Sequence, residues 1–238
     1  MTAPGPRWGN PAHLLVPVLL LAMAGWAQAP KPEPDAKSTA VPTVTFTLDW
    51  PVAKPPHYSI SIESAGRATY TAVDETGDPA EPYTRNFTVT DATRERIFAA
   101  AKALDYFRGQ FDFTKHRIAF TGRKTFSYAD PDRRFQTTYN WSENAQLMDL
   151  THLFQAIENT LDYGRKLEYL RRFDRMGLNA ELKAMEEAAK DHYLAEVHAI
   201  EPLLRQIADD PNVMDLARQR ARRLLILASA ETASSSAH

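Results

Sequence analysis

The sequence predicts an α+β protein, an antiparallel sheet covered by two helices and followed by a C-terminal helical extension. Two observations predict the sheet and its covers. Alternating apolar residues mark strands from Thr43 to Thr90 and again from His116 to Trp141, and an apolar stripe of helical period follows each set. A third observation predicts the extension, because β signals vanish after Arg165. The order strands, helix, strands, helix is typical of an antiparallel sheet with helices on one side.

Four strands and a helix are predicted in the first half. Residues 43–50 alternate strictly, and the prolines that follow forbid continuation of this strand. YSISIE (58–63) and RATYTAV (67–73), separated by Gly66, predict a hairpin, and residues 83–90 predict a fourth strand. Asp91 is a suitable N-cap for the first covering helix, which the apolar spacing extends to Gly109.

Residues 116–141 predict a three-stranded meander with turns at Thr121-Gly122 and at Asp130-Pro131-Asp132. Aromatic residues at period-two spacing predict an aromatic face against the covering helices. They are Phe126, Tyr128, Phe135, Tyr139 and Trp141. Ser142 is the predicted N-cap of the second covering helix.

Residues 165–228 predict three helices, the first ending at Gly177. The second is predicted from Asn179 to Ile207 with a bend at Pro202, and the third over residues 213–228. Their apolar stripes exceed what the sheet needs, so the extension either packs on itself as a helical subdomain or contacts a partner or a second copy. The last helix combines apolar and basic residues, and we expect a protein partner there rather than a membrane surface. The apolar residues of this helix are Leu216, Leu224, Leu225, Ile226 and Leu227, and the basic ones are Arg218, Arg220, Arg222 and Arg223.

The two ends of the chain carry targeting and tail signals. Residues 1–27 are predicted to be a cleaved signal peptide, because Arg7 and His13 precede the apolar run 14–26. That run is shorter than the roughly 20 residues of a membrane span, so no anchor is expected after cleavage. The predicted domains are a disordered leader at 28–42, the sheet domain at 43–164, the extension at 165–228 and a disordered tail at 229–238.

The chain contains no cysteine. This excludes disulfides, thiol nucleophiles and thiolate metal sites. A secreted eukaryotic protein of this size usually contains some cysteine, so we expect a bacterial protein that is periplasmic or secreted.

A family resemblance follows from HYSISIESAG, a capped helix ending in LDYF, and the RKTFSYAD to TTYNW hairpin. These segments resemble small uncharacterised bacterial secreted domains of β-β-α-β-β-α type, of the kind exported by acidobacteria. The resemblance covers Thr43–Leu170 and implies that fold together with export. Such domains have no assigned activity, so it implies no site residues. Relatives have a cysteine pair before the Tyr-Ser-x-Ile strand, which this chain lacks.

Composition and motifs exclude several function classes. Lys and Arg number 28 against 30 Asp and Glu, a net charge of −2, so nucleic acid is not an expected partner. A nucleophile elbow, a P-loop and a dinucleotide fingerprint are all missing from the sequence, so no cofactor is expected.

The strongest binding signal is a basic rim around the central hairpins. Between Arg108 and Arg134 seven basic residues face three acidic ones, a net charge of +4. The rim is compatible with an anionic glycan, a lipid headgroup or an acidic protein surface, but charges that protect exposed strand edges are the favoured explanation. The candidate binding residues are Arg117, Arg123, Lys124, Arg133, Arg134, Tyr128, Tyr139 and Trp141.

A non-catalytic binding or interaction module is the leading hypothesis, and a periplasmic hydrolase is the alternative. In the hydrolase, Asp130 and Asp132 would be paired carboxylates with His116 as base, although Asp-Pro-Asp is also a turn sequence. His192 and Glu196, one turn apart on a predicted helix, have the spacing for a metal, but such residues usually form a solvated face. No catalytic or metal residue is therefore assigned, and a shared cleft for His116, Asp130 and Asp132 would favour the enzyme.

Overall fold

A computed structural model describes residues 41–73 and 82–235 of this chain. The predicted signal peptide, nearly all of the predicted leader and residues 236–238 of the predicted tail lie outside the described residues. So does most of the predicted loop between the third and fourth strands. Among the described helices, none combines the length and apolar character needed to cross a membrane.

The predicted α+β fold is confirmed by a six-stranded antiparallel sheet with the strand order β4-β3-β2-β1-β5-β6. The strands are β1 Thr43–Asp49, β2 His57–Glu63, β3 Arg67–Val73, β4 Tyr83–Thr88, β5 Arg123–Ala129 and β6 Arg134–Tyr139. Strand β1 pairs with β2 on one side and with β5 on the other, so it joins the two predicted halves. Its alternation buries Val44, Phe46 and Leu48 and leaves the intervening threonines half-buried on the other face.

The predicted third strand of the central meander is wrong, because residues 116–120 are not in a strand. Asn140 binds this segment through its side chain instead. Its Oδ1 accepts from the Thr121 amide at 2.8 Å, and its Nδ2 donates to the Ala119 carbonyl at 2.8 Å. Side-chain bonds of this kind hold the chain without the repeating backbone ladder of a strand.

The described residues form five α-helices, which follow the strands or lie between them. They are α1 Asp91–Ala103, α2 Ala145–Phe173, α3 Leu178–Lys190, α4 Glu201–Asp209 and α5 Asp215–Ser235. Two predicted N-caps are wrong by one or two residues, since Thr90 caps α1 and Asn144 caps α2. Helix α1 also ends before Gly109. Tyr106, at a φ of 55°, lies in a short 3₁₀ turn that brings Phe107 within 5.0 Å of the Phe126 ring, centroid to centroid.

The predicted helix over residues 179–207 is two helices, α3 and α4. Positive φ angles at His192 (62°) and Glu196 (59°) break the helical path between them. Pro202 lies in the first turn of α4, where its missing N–H leaves no hydrogen bond unmade, so it begins a helix rather than bending one.

The helices complete two hydrophobic cores. The sheet, α1 and the first part of α2 form one core, and the end of α2 with α3, α4 and α5 forms the other. The extension therefore buries much of its apolar surface within itself. The predicted boundary at residue 164 falls inside the continuous helix α2, and α5 continues through Ser235 where a disordered tail was predicted.

Candidate ligand-binding pocket

The predicted basic rim does not form one surface. Arg123 and Lys124 lie at the open end of the β5–β6 hairpin, where Lys124 is paired with Tyr139. Arg133 and Arg134 lie at the other end, at the turn that joins the two strands. A strand of this length spans roughly 20 Å at about 3.3 Å per residue. The basic residues are therefore divided between the two ends of the hairpin.

Three of the predicted binding residues are buried, namely Tyr128 (5% exposed), Lys124 and Tyr139, which corrects that part of the prediction. Lys124 is 4% exposed, and its Nζ donates to the carbonyls of Thr121 and Asn140, each at 2.9 Å, while burial lowers its pKa. Tyr139 is 2% exposed, with its Oη 2.5 Å from Oγ1 of Thr151. Lys124 and Tyr139 stabilise the interior of the hairpin and cannot line an open binding surface.

Tyr128 and Arg133 are engaged with their neighbours. The Arg133 guanidinium lies 4.1 Å from the centre of the Tyr106 ring and pairs with Asp130 at 2.7 Å, and Tyr128 Oη donates to Asp130 at 3.0 Å. Together they form a local cluster at the β5–β6 turn. These contacts account for Tyr128 and Arg133 without a ligand.

The other four predicted residues lie apart. Arg123 Nε is 3.5 Å from Asp49 Oδ2, Trp141 packs edge-on against Phe113, and Arg117 and Arg134 are exposed. Because β6 is an edge strand, the position of Arg134 fits protection of a strand edge.

The hydrolase set His116, Asp130 and Asp132 is not brought together in a cleft. Asp130 accepts from the backbone amides of Asp132 at 2.9 Å and Arg133 at 2.7 Å, as the Asp of a tight turn does. His116 is exposed in the connection before β5, where its ring packs edge-on against Phe113.

His192 and Glu196 do not share a helical face. Glu196 is 3% exposed and accepts from the backbone N (2.7 Å) and Oγ1 (2.8 Å) of Thr90, at the start of α1. His192 is exposed. Within residues 41–73 and 82–235, no group of three or more His, Cys, Asp or Glu side chains is arranged to hold a metal ion.

The candidate site that the structure contains is a cavity of about 590 Å³ at the end of β1. We call it the Glu158 pocket. Its walls come from the β1–β2 connection, helix α2 and the loop that follows α3. Its lining includes Leu48, Trp50, Ala53, Lys54, Pro55 and Tyr58 from the first wall, and His152, Gln155, Ala156, Glu158, Asn159, His192 and Tyr193 from the other two. A volume of this size suits a small organic molecule.

Hydrogen bonds from backbone and side-chain donors to backbone carbonyls hold the walls in place. The Trp50 amide donates to the Pro56 carbonyl at 2.8 Å, which closes the β1–β2 connection into a tight loop. On the opposite wall, Asn159 Nδ2 donates to the Tyr193 carbonyl at 3.1 Å, and the Ala195 amide donates to the Ala156 carbonyl at 3.2 Å. The pocket is therefore preformed from segments that are distant in sequence.

Glu158 is the chemically distinctive group of this pocket. It is 7% exposed, and its Oε1 accepts from Tyr70 Oη at 3.3 Å. Burial, followed by the nearby charge of Asp162, raises the pKa of Glu158 to about 8. Arg165 at 2.8 Å and Lys166 at 2.7 Å pair with Asp162. Glu158 therefore remains largely protonated at neutral pH and can donate a hydrogen bond.

Trp50 separates the Glu158 pocket from a second, more open cavity of about 730 Å³. In that cavity Asp49 Oδ1 lies 2.5 Å from His57 Nδ1, beside Arg123 and Phe120. Gly122, at a φ of +96°, lies behind Trp50, since a Cβ there would be 2.9 Å from the Cβ of Trp50. The glycine leaves room for the indole that divides the two cavities.

Sequence reasoning missed Glu158, although a signal was present. Glu158 follows Phe154 by four residues and precedes Leu161 by three, so it lies on the apolar stripe of α2. A carboxylate on the buried stripe of a helix is costly, and such groups concentrate at functional sites. The cavity itself was not foreseeable, because it depends on how three separate segments meet.

Comparison with known proteins leaves this pocket to be interpreted from its geometry. Neither a family model nor a curated protein matches the chain. The fold and the site define an antiparallel α+β protein with one deep acidic group in a pocket that has aromatic walls.

Replacing Glu158 by glutamine tests the raised pKa through stability. The pKa in the folded state, about 8, exceeds the ordinary value of 4.5. The wild type therefore loses stability as pH rises between those values, while E158Q, which does not titrate there, does not. The free energy of unfolding of E158Q, relative to that of the wild type, should therefore rise by on the order of 4 kcal/mol between pH 5 and pH 9. Urea unfolding at both pH values measures this difference.

The matched control is E168Q, an exposed position on the same helix. The difference in free energy of unfolding between E168Q and the wild type should not change appreciably over this pH range. If E158Q and the wild type differ in free energy of unfolding by the same amount at pH 5 and at pH 9, the raised pKa of Glu158 is contradicted.

Proposed function

We propose that this chain is an exported, non-catalytic binding module that holds a small organic ligand in the Glu158 pocket. The observation that carries the proposal is a buried, largely protonated carboxyl group on a preformed cavity with aromatic lining. Ligand sites are typically concave and largely apolar, with a few polar groups that orient the ligand. Trp50, Tyr58 and Tyr193 supply contact area, and Glu158 with Asn159 and Gln155 supplies polar contacts.

Binding is a better account of this pocket than hydrolysis. Among the described residues that line the cavity, Glu158 is the single carboxyl group. Two-carboxylate hydrolysis requires a second carboxylate across the substrate. The hydrolase set His116, Asp130 and Asp132 lies elsewhere, which also supports the binding module.

Comparing two tyrosines tests this pocket. Tyr193 lines it, whereas Tyr169 lies on α2 outside its lining, and both are 62% exposed. We expect compounds found in a fragment screen to bind Y193A about three- to tenfold more weakly, as loss of one aromatic contact implies. Their affinity for Y169A should be unchanged. Isothermal titration measures both, and equal losses in the two variants would contradict the location.

Export is the second part of the proposal. It is supported by the signal-peptide pattern of residues 1–27 and by the absence of cysteine, which fits a bacterial exported protein. The protein is accordingly proposed to be periplasmic or secreted, without a membrane anchor after cleavage.

N-terminal sequencing of protein recovered from periplasm or medium tests export. We expect the mature chain to begin at Gln28, because Gly25 and Ala27 are the small residues that signal peptidases require before the cleaved bond. A matched chain that lacks residues 1–27 should remain in the cytoplasm. Recovery of the intact N-terminus in the membrane fraction would contradict cleavage.

Association through the C-terminal helices is a second candidate function. It is favoured by apolar side chains that α5 leaves exposed, although Leu224 of the same helix is fully buried. The exposed ones are Leu216, Ile226 and Leu227, at 43%, 68% and 43%. We propose that this surface contacts a second copy of the chain or an envelope protein.

Ile226→Lys tests that surface in sedimentation velocity. Because Ile226 is 68% exposed, we expect the variant to fold as stably as the wild type, while dimers present in the wild type are lost. Met176→Lys is the matched control, since Met176 is 77% exposed but lies before α3, and it should leave dimers intact. A wild type that stays monomeric at all concentrations would rule out the second copy as partner.

A further inference from the structure

We infer that the open cavity on the other side of Trp50 is a second binding site of this chain, and that its ligand is a neutral saccharide. We call it the Asp49 cavity. Its lining consists of Asp49, Trp50, His57, Phe120 and Arg123 with two prolines, and its volume is about 730 Å³. Trp50 is the one described residue that it shares with the Glu158 pocket. The inference is therefore independent of the function proposed for that pocket.

Phe120 gives the cavity an aromatic face that is exposed and held in place. The residue is 58% exposed. The backbone on both sides of it is fixed by Asn140, whose Nδ2 donates to the Ala119 carbonyl and whose Oδ1 accepts from the Thr121 amide, each at 2.8 Å. The indole of Trp50 lines the same cavity. Because these rings are ordered before a ligand arrives, stacking on them costs little conformational entropy.

Asp49 organises the polar half of the cavity. Its Oδ1 accepts from His57 Nδ1 at 2.5 Å, and its Oδ2 lies 3.5 Å from Arg123 Nε. When Nδ1 of a neutral imidazole donates, Nε2 is an acceptor. Within residues 41–73 and 82–235, neither that Nε2 nor the terminal nitrogens of Arg123 have a hydrogen-bond partner. The cavity therefore offers a ligand both an acceptor and donors.

The charges of the cavity decide against a charged ligand. Asp49 is the one carboxylate among the described lining residues, and Arg123 matches it with one positive charge, while His57 adds a charge only when it is protonated. A wholly apolar ligand would cover these polar groups without bonding to them, which is costly. A sugar fits both halves of the cavity, because its hydroxyls donate and accept while its C–H faces pack on aromatic rings. With one carboxylate, the cavity lacks the second that glycoside hydrolysis requires.

The open face of the sheet continues the cavity with uncharged hydroxyl groups. The strand register places His57, Asp49 and Arg123 side by side in one row across β2, β1 and β5. The next two rows on the same face are Ser59, Thr47 and Thr125, then Ser61, Thr45 and Ser127, all half-buried. At about 3.3 Å per residue, these rows extend the cavity by about 13 Å along the strands. A linear oligosaccharide can therefore bind the cavity with one ring and the hydroxyl rows with the next.

Titration of the mature full-length protein with trisaccharides tests this inference. Cellotriose, xylotriose, mannotriose and triacetylchitotriose are neutral, whereas chitotriose is a cation and trigalacturonate is an anion. In NMR titrations, we expect at least one neutral trisaccharide to bind with a Kd of about 1 mM or tighter. Both charged ones should bind at least about threefold more weakly than that one. The amide signals of Thr47, Phe120 and Thr125 should shift, and that of Tyr193 should not.

Variants separate the aromatic face from the hydroxyl rows. Phe120→Ala should weaken the trisaccharide about fivefold or more, because it removes the stacking surface. Phe173→Ala is the matched control, since Phe173 is 64% exposed at the end of α2, and it should leave the affinity unchanged. Thr47→Val removes a hydroxyl from the row next to the cavity and should weaken the trisaccharide about threefold while sparing the monosaccharide.

The outcomes distinguish this site from the Glu158 pocket. If none of the trisaccharides binds, or if Phe120→Ala and Phe173→Ala lose affinity equally, the saccharide site is overturned and the Glu158 pocket is unaffected. Tighter binding of a charged trisaccharide than of every neutral one would overturn the neutral ligand. Saccharides that shift the Tyr193 signal and are weakened by Y193A would overturn this second site and support the function proposed for the Glu158 pocket.

Discussion

The pocket depends on helix α2 being continuous across two hydrophobic cores. Its 29 residues begin over the sheet, where Phe154 packs 5.6 Å from Phe46, centroid to centroid, and end among the C-terminal helices, where Leu167 is fully buried. Gly164 permits close contact near the transition, since a Cβ there would lie 2.6 Å from Cγ2 of Ile200. Helix α2 therefore joins the two cores, and its N-terminal half presents Glu158 to the cavity.

Local pattern was sufficient for the elements whose burial repeats regularly. Strand β1 alternates buried and half-buried residues throughout, as its sequence predicts, and the apolar stripes of α1 and α2 were equally clear. Patterns failed where one side chain or one backbone angle decides the outcome. The side chain of Asn140 replaces a strand at residues 116–120, and the positive φ of Glu196 divides a predicted helix in two.

The candidate site was less predictable than the fold, for a related reason. Basic residues that are close in sequence, such as Arg123 and Lys124, proved to have different environments, because successive residues of a strand point to opposite faces. Residues of the pocket are distant in sequence, and what they do depends on burial. Glu158 is an ordinary acid in the sequence, and becomes a hydrogen-bond donor only when Tyr58, Tyr70 and Asp162 surround it.

The loop after α3 has a further consequence for how the chain folds. Its Glu196 carboxylate caps α1 through Thr90, and its backbone is bonded to α2 at Ala156. These contacts join residues more than one hundred positions apart in one case and nearly forty in the other. Closing such long loops is entropically costly and slow. Because the lining runs from Leu48 to Tyr193, these distant segments must meet before the pocket exists, and an N-terminal fragment that ends before Tyr193 lacks part of its wall.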